Sequence, residues 1–279
     1  VNSSTGKLSR IVSQDAFGSI RALNAFRFAG LSKDYLAITS DSGKFTVLEY
    51  NINTKKFQIV FNEPFFKTGL RRLAPGQYMS QDAKGRAIML SAIEKNKLVY
   101  VFNRDSLDNL TISSPLEANR NRILTFASCG LDVGYENPVF ASIEIDYGQF
   151  EFNGIDPDSP PKKTLTFYEL DLGLNHVVKK QSQQIPHTSN FLLSVPGGKN
   201  GPSGVIIACQ NFIQYKSPYT QKAFIVPIPA RTTQTNRDFS SNYIICGTVH
   251  TMKDKFFILL QSNFGDIFNI IKQKMLTRT

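Results

Sequence analysis

Tryptophan is absent from the 279 residues, and cysteine and histidine occur only three times each. Cys129, Cys209 and Cys246 are odd in number, lack paired spacing and lie in or beside apolar runs. That pattern argues against a secreted disulfide framework, because a reduced thiol in such a run behaves as a small hydrophobe. His176, His187 and His250 form no His-x-x-x-His pair, and no Cys-x-x-Cys exists. No zinc site, other metal or cofactor is therefore expected. No apolar run approaches the roughly 18 residues of a membrane-spanning helix, and no signal peptide is legible. Runs of five or more like charges are also missing. The basic pairs Arg71-Arg72, Lys162-Lys163 and Lys179-Lys180 are scattered and make no nucleic-acid arm. Apolar residues nowhere follow the helical period over a long stretch. The first residue is Val1, so a piece of a longer chain is expected.

What is present is phenylalanine, 22 of them, in a chain that is 41% hydrophobic and 19% charged. Short β-like runs rich in Phe suggest a packed apolar interior. Strand pairs recur. Tyr35 to Ser40 and Lys44 to Tyr50 flank Asp41-Ser42-Gly43; Arg86 to Ile93 and Leu98 to Phe102 flank Glu94 to Lys97. Val139 to Asp146 pairs with Thr164 to Leu170 across a polar, Pro-rich insertion, 148–163, read as a surface loop. Thr164 to Leu170 is followed by the turn Asp171-Leu172-Gly173 and a second run, Asn175 to Lys180. Gly204 to Cys209 with Phe212 to Tyr215, and Phe256 to Gln261 with Asp266 to Ile271, complete the set. The turns carry Asp, Asn and Gly, which tolerate left-handed backbone. Most pairs start about fifty residues apart, the period of propeller blades. The expected fold is all-β, a WD40-like β-propeller with about five visible blades of an expected seven. The Trp-Asp signature cannot be present. A complete small propeller is the alternative.

Chemistry is poorly supported. Gly197 to Gly204 is glycine-rich, but Lys199 is followed by Asn200 and then a strand, so it reads as a loop between blades and not a phosphate loop. No Gly-x-Ser-x-Gly elbow appears. Asp15, Asp41, Asp82, Asp132 and Asp266 could converge on the propeller axis as acid–base pairs, against the plainer role of turn residues. Phe26, Phe28, Phe65 and Phe66 are expected to fill cores between blades rather than to stack bases. Phe150 and Phe152 lie in an otherwise polar loop and read as an exposed anchor. The net charge of +10 favours an acidic partner.

Several strings are more specific than their pattern. They are DYLAITSDSGKFTVLEY (34–50), LRRLAPGQ (70–77), KGRAIMLSAIEKNKLVYVFNRD (84–105), LTISSPLEAN (110–119), LDVGYENPVFA (131–141), TLTFYELDLGLNHVVKK (164–180) and VPGGKNGPSGVI (195–206). Together they resemble a family of very large proteins with three WD40-like propellers and a helical C-terminal region. That family includes the large propeller subunit of splicing factor 3b and the large subunits of damaged-DNA-binding protein and of cleavage and polyadenylation specificity factor. The resemblance implies that residues 1–279 are most of the first, N-terminal propeller of a longer multi-propeller chain. It implies a nuclear, non-enzymatic scaffold in U2 snRNP that supports branch-site recognition. Its partners would be the HEAT-repeat large subunit and the small companion subunit of splicing factor 3b, with other U2 snRNP proteins and RNA contact only indirect. The short insertion between Asp146 and Thr164 implies a compact, fungal-type version.

Loop position then selects the expected partner contacts: Arg71, Arg72, Asn119, Arg120, Arg122, Phe150, Phe152, Lys162 and Lys163. The rival reading is a propeller that binds RNA or damaged DNA directly.

Overall fold

The computed structural model describes residues 2–16, 18–65, 77–119, 121–148, 161–229, 241–252 and 255–271. Among the described residues there are twenty strands and no helix. They form five antiparallel sheets, each a meander in chain order. Blade 1 is β1 (Ile20–Arg27), β2 (Asp34–Ser40), β3 (Lys44–Asn51) and β4 (Lys56–Pro64). Blade 2 is β5 (Tyr78–Gln81), β6 (Ala87–Ser91) and β7 (Lys97–Arg104), with an outer strand split into β8 (Leu110–Ile112) and β9 (Leu116–Asn119). The split falls at Pro115, which has no N–H to give to the ladder.

Blade 3 is β10 (Ile123–Gly130), β11 (Val139–Asp146), β12 (Thr164–Asp171) and β13 (His176–Gln184). Blade 4 is β14 (Phe191–Ser194), β15 (Val205–Cys209), β16 (Phe212–Ser217) and β17 (Thr220–Pro227). Blade 5 holds three strands among the described residues: β18 (Ile244–Met252), β19 (Lys255–Ser262) and β20 (Ile267–Ile271).

The second strands explain the stacking. β6 reads AIMLS and β15 reads VIIAC, and every residue of both is buried. Successive side chains of a strand point to opposite faces. Ile88 and Leu90 therefore meet Phe26, Phe45 and Tyr35 of blade 1, while Ala87 and Met89 meet Phe140, Tyr168 and Leu170 of blade 3. Val205 and Ile207 join Ile143, Leu165 and Phe167 of blade 3, and Ile206 and Ala208 join Ile258 and Leu260 of blade 5. Each buried aliphatic contributes about 1.5–3 kcal/mol, so four such clusters weld the blades face to face.

The first strands β1, β5, β10, β14 and β18 touch in succession and line a central channel of about 550 Å³. Their approach is close: a methyl group at Gly130 would collide with the Gln81 carbonyl of the neighbouring blade. Gly85, at φ +66°, likewise lies against the Arg27 carbonyl of blade 1.

Turn chemistry repeats. Asn51, Asp105 and Asp171 each end or follow a third strand and accept two backbone N–H groups through one Oδ1, at 2.8–3.1 Å. Each turn then uses a left-handed residue, Lys55, Asp108 or Asn175. At the other ends of the blades, Asp41 exchanges bonds with Ser19, and Asn263 with Tyr243, in one reciprocal arrangement.

The expected strand pairs are found, with ends displaced by a residue or two, except that the run expected to stop at Lys180 continues to Gln184 in β13. Arg86, expected in a strand, instead sits just before β6 and bonds Asp82.

Candidate partner-binding surface

In a meander the connections alternate between two ends. The β1–β2, β5–β6, β10–β11 and β14–β15 loops share one end with the turns after the third strands. The turns after the second strands share the opposite end with the links between blades. Asn119, Arg122, Lys162 and Lys163 all belong to this second end. Arg71, Arg72, Arg120, Phe150 and Phe152 lie outside the described residues.

The four described residues differ in what they do. Asn119 is half-buried and donates Nδ2 to the carbonyls of Lys95, at 2.8 Å, and Asn121, at 3.3 Å. It fastens the blade 2 turn to the start of blade 3. Lys163 is half-buried, donates to the Ser189 carbonyl at 2.7 Å and lies 4.3 Å above the Phe126 ring. Burial lowers its pKa from the ordinary lysine value. Arg122 is exposed beside Gly148, and its carbonyl accepts the Tyr147 N–H at 2.9 Å. Lys162 is exposed. Asn119 and Lys163 brace neighbouring elements, and Arg122 and Lys162 are exposed.

The axis carries little chemistry. Among the described residues the channel wall combines small polar groups, such as Asn24, Ser80, Ser128, Ser194 and Thr248, with apolar ones, such as Met79, Leu131 and Leu193. Asp132 is the carboxylate there, and it accepts the Val133 N–H at 2.8 Å and the Gly197 N–H at 2.9 Å. The five aspartates do not converge. Asp82 pairs with Arg86 at 2.8 Å, which donates on to the Glu136 carbonyl at 2.5 Å. Asp41 and Asp266 sit in turns at the opposite end, and Asp15 lies on the outer face of blade 1. No group of three or more His, Cys, Asp or Glu could hold a metal ion among the described residues. Phe26, Phe28 and Phe65 are buried in the core between blades 1 and 2; Phe66 lies outside the described residues.

One feature went unread in the sequence. Between blades 3 and 4 a cleft of about 410 Å³ is walled by Tyr135, Phe167, Pro218 and Tyr219, with Glu169 and Lys180 at its rim. Tyr219 is 76% exposed and stacks on buried Tyr135, ring centres 5.3 Å apart. The available signal was an aromatic in a polar turn, the same one that singled out Phe150 and Phe152.

Four-stranded meanders stacked around a channel by their inner strands define a WD40-like β-propeller. The chain belongs to the RSE1/DDB1/CPSF1 family and matches that family's first β-propeller over residues 1–273. It is 47% identical over 96% of its length to splicing factor 3B subunit 3 of Drosophila melanogaster. It is 46% identical over 95% to pre-mRNA-splicing factor rse1 of Neurospora crassa. The figure for spliceosome-associated protein 130 A of Arabidopsis thaliana is 45% over 95%. Fly, fungal and plant relatives are nearly equidistant, so these identities do not single out a fungal version. The chain spans 22% of the length of each of these relatives.

Proposed function

We propose that this chain is most of the first propeller of a longer, non-enzymatic scaffold subunit of the splicing factor 3b complex in U2 snRNP. It acts in the nucleus, by protein–protein contacts that support branch-site recognition and spliceosome assembly in pre-mRNA splicing. The observation that carries this reading is 45–47% identity, over nearly the whole chain, to proteins named as splicing factors from animal, fungus and plant. The propeller supports it physically. Blades locked by apolar clusters and reciprocal turn bonds present a pre-ordered surface, which binds with little ordering cost. The partners we assign are the HEAT-repeat large subunit and the small companion subunit of splicing factor 3b. Asn119, Arg122, Lys162 and Lys163 are the expected contacts among the described loop residues, with Arg71, Arg72, Arg120, Phe150 and Phe152 outside them.

Depletion tests the reading. Removing the full-length protein from splicing extract should abolish stable association of U2 snRNP with pre-mRNA, and adding back the purified protein complex should restore it. Undiminished association after complete depletion would contradict it.

The net charge of +10 favours, as a second reading, direct binding of nucleic acid. That reading requires an affinity for RNA that falls steeply with salt as counterions are released.

A further inference from the structure

The cleft between blades 3 and 4 combines an aromatic wall with a carboxylate that already holds a cation. Glu169 Oε2 lies 3.3 Å from Lys180 Nζ, and Glu169 Oε1 accepts Asn137 Nδ2 at 2.9 Å. The two charged side chains are unequally exposed, 23% for Glu169 and 52% for Lys180. The carboxylate is the partly desolvated member and gains more from a cation held against it. Lys180 is mostly in water, where its charge is screened and its release costs little.

The rings line the same cleft as this carboxylate. Phe167 and Tyr135 are buried, and Tyr219 projects from the turn after Pro218 with one face on Tyr135 and the rest open. A planar cation fits such a place better than a compact one. A guanidinium can lie against a tyrosine face and present two parallel N–H groups to a carboxylate. An ammonium does neither as well.

We propose that this cleft is a docking site for an arginine side chain of a partner protein, stacked on Tyr219 and paired with Glu169. Lys180 occupies the carboxylate in the free protein and is displaced when the arginine enters. Charge complementarity sets the occupant: the carboxylate at the rim of the aromatic wall selects a cation within a chain that is otherwise strongly basic. The proposal rests on the scaffold reading only in taking a protein as the partner.

The test uses purified full-length protein and fluorescein-labelled nonapeptides carrying one central arginine, lysine or citrulline between prolines, read by fluorescence anisotropy. The arginine peptide should bind at least about tenfold more tightly than the other two. Glu169→Gln should weaken it by about tenfold or more, and Tyr219→Ala by about threefold or more. Lys180→Ala should tighten it, because the internal competitor is gone. A general loss of structure cannot produce that gain, so the proposal stays testable if the Glu169 variant misfolds. Equal binding of the three peptides, no binding of the arginine peptide, or no response to Glu169→Gln and Lys180→Ala would overturn it. So would an oligouridine that competes for the cleft and loses binding with Tyr219→Ala, which would make the occupant RNA. No splicing extract enters this experiment, so its failure leaves the depletion result standing.

Discussion

Lys97 of blade 2 holds its ammonium 2.9 Å from the carboxylate of Glu144 in blade 3, with the two side chains only 1% and 2% exposed. The pair is not alone. Lys97 also donates to Thr125 Oγ1 at 2.6 Å, and the Tyr168 hydroxyl donates to Glu144 at 3.1 Å. Tyr168 belongs to the apolar cluster that also holds Met89, Val99, Phe140 and Leu170. Two charges stripped of water are tolerated only when they are paired and hydrogen-bonded, and here each has the other and a hydroxyl, Thr125 for Lys97 and Tyr168 for Glu144.

The cost of breaking this pair should be far larger than its net value. Glu144→Leu alone, or Lys97→Met alone, leaves an uncompensated buried charge and should cost about 3–5 kcal/mol. The double variant should recover most of that loss, because two apolar side chains fill the same volume without a desolvation penalty. Denaturant unfolding of the four proteins in a double-mutant cycle measures it. Additive single losses would show that the two groups act independently.

Alkaline pH should loosen the propeller through groups that burial keeps neutral. Burial pushes the Tyr100 hydroxyl and the Cys129 thiol each up to about 12. In the unfolded chain they ionise near ~10 and ~8.5. Both pKa values are raised on folding, so their contribution is complete below the unfolded values and is lost as pH climbs towards 12. Burial lowers the Lys97 pKa, against the pull of Glu144, and gives an opposite, rising slope towards the unfolded lysine value of ~10.4. Thermal unfolding followed from pH 7 to 11 should show stability falling above pH ~8.5, with the fall reduced in Tyr100→Phe. An unchanged profile in that variant would remove Tyr100 from the account.

Gly130→Ala tests how tightly the inner strands approach one another. The added methyl group meets the Gln81 backbone carbonyl, which cannot swing aside as a side chain could. The expected loss is about 1–3 kcal/mol, the range of overpacked sites. Gly6→Ala is the control: its new methyl meets nothing within 4 Å, but φ of +64° imposes a small backbone strain. Gly130 does not have a left-handed φ, so a loss there no larger than that at Gly6 would contradict a close approach of blades 2 and 3.

The fold was legible where burial is two-sided. β6 and β15 are unbroken apolar runs because each of their faces packs on a neighbouring blade, and a run of that kind between turn residues can be read directly. The first strands were not legible. β1 reads IRALNAFR, with only Phe26 fully buried, because one side borders the channel and accepts polar residues. The outer strands β4 and β17 are similarly diluted by solvent exposure, and β13 was legible only over its first half. Loop residues were legible as loops and not by role. Nothing in the letters separates Lys162, exposed, from Lys163, which bonds the Ser189 carbonyl and covers Phe126. Tyr219 was hidden for a different reason: its stacking partner, Tyr135, is far away in sequence and meets it only when blades 3 and 4 pack.

The most direct measurement is affinity capture of the full-length protein from nuclear extract, with and without RNase, followed by mass spectrometry. A protein scaffold predicts that the HEAT-repeat and small subunits of splicing factor 3b are recovered in both samples. Loss of every partner after RNase would make RNA the direct ligand, and the absence of splicing proteins from both samples would contradict the functional assignment itself.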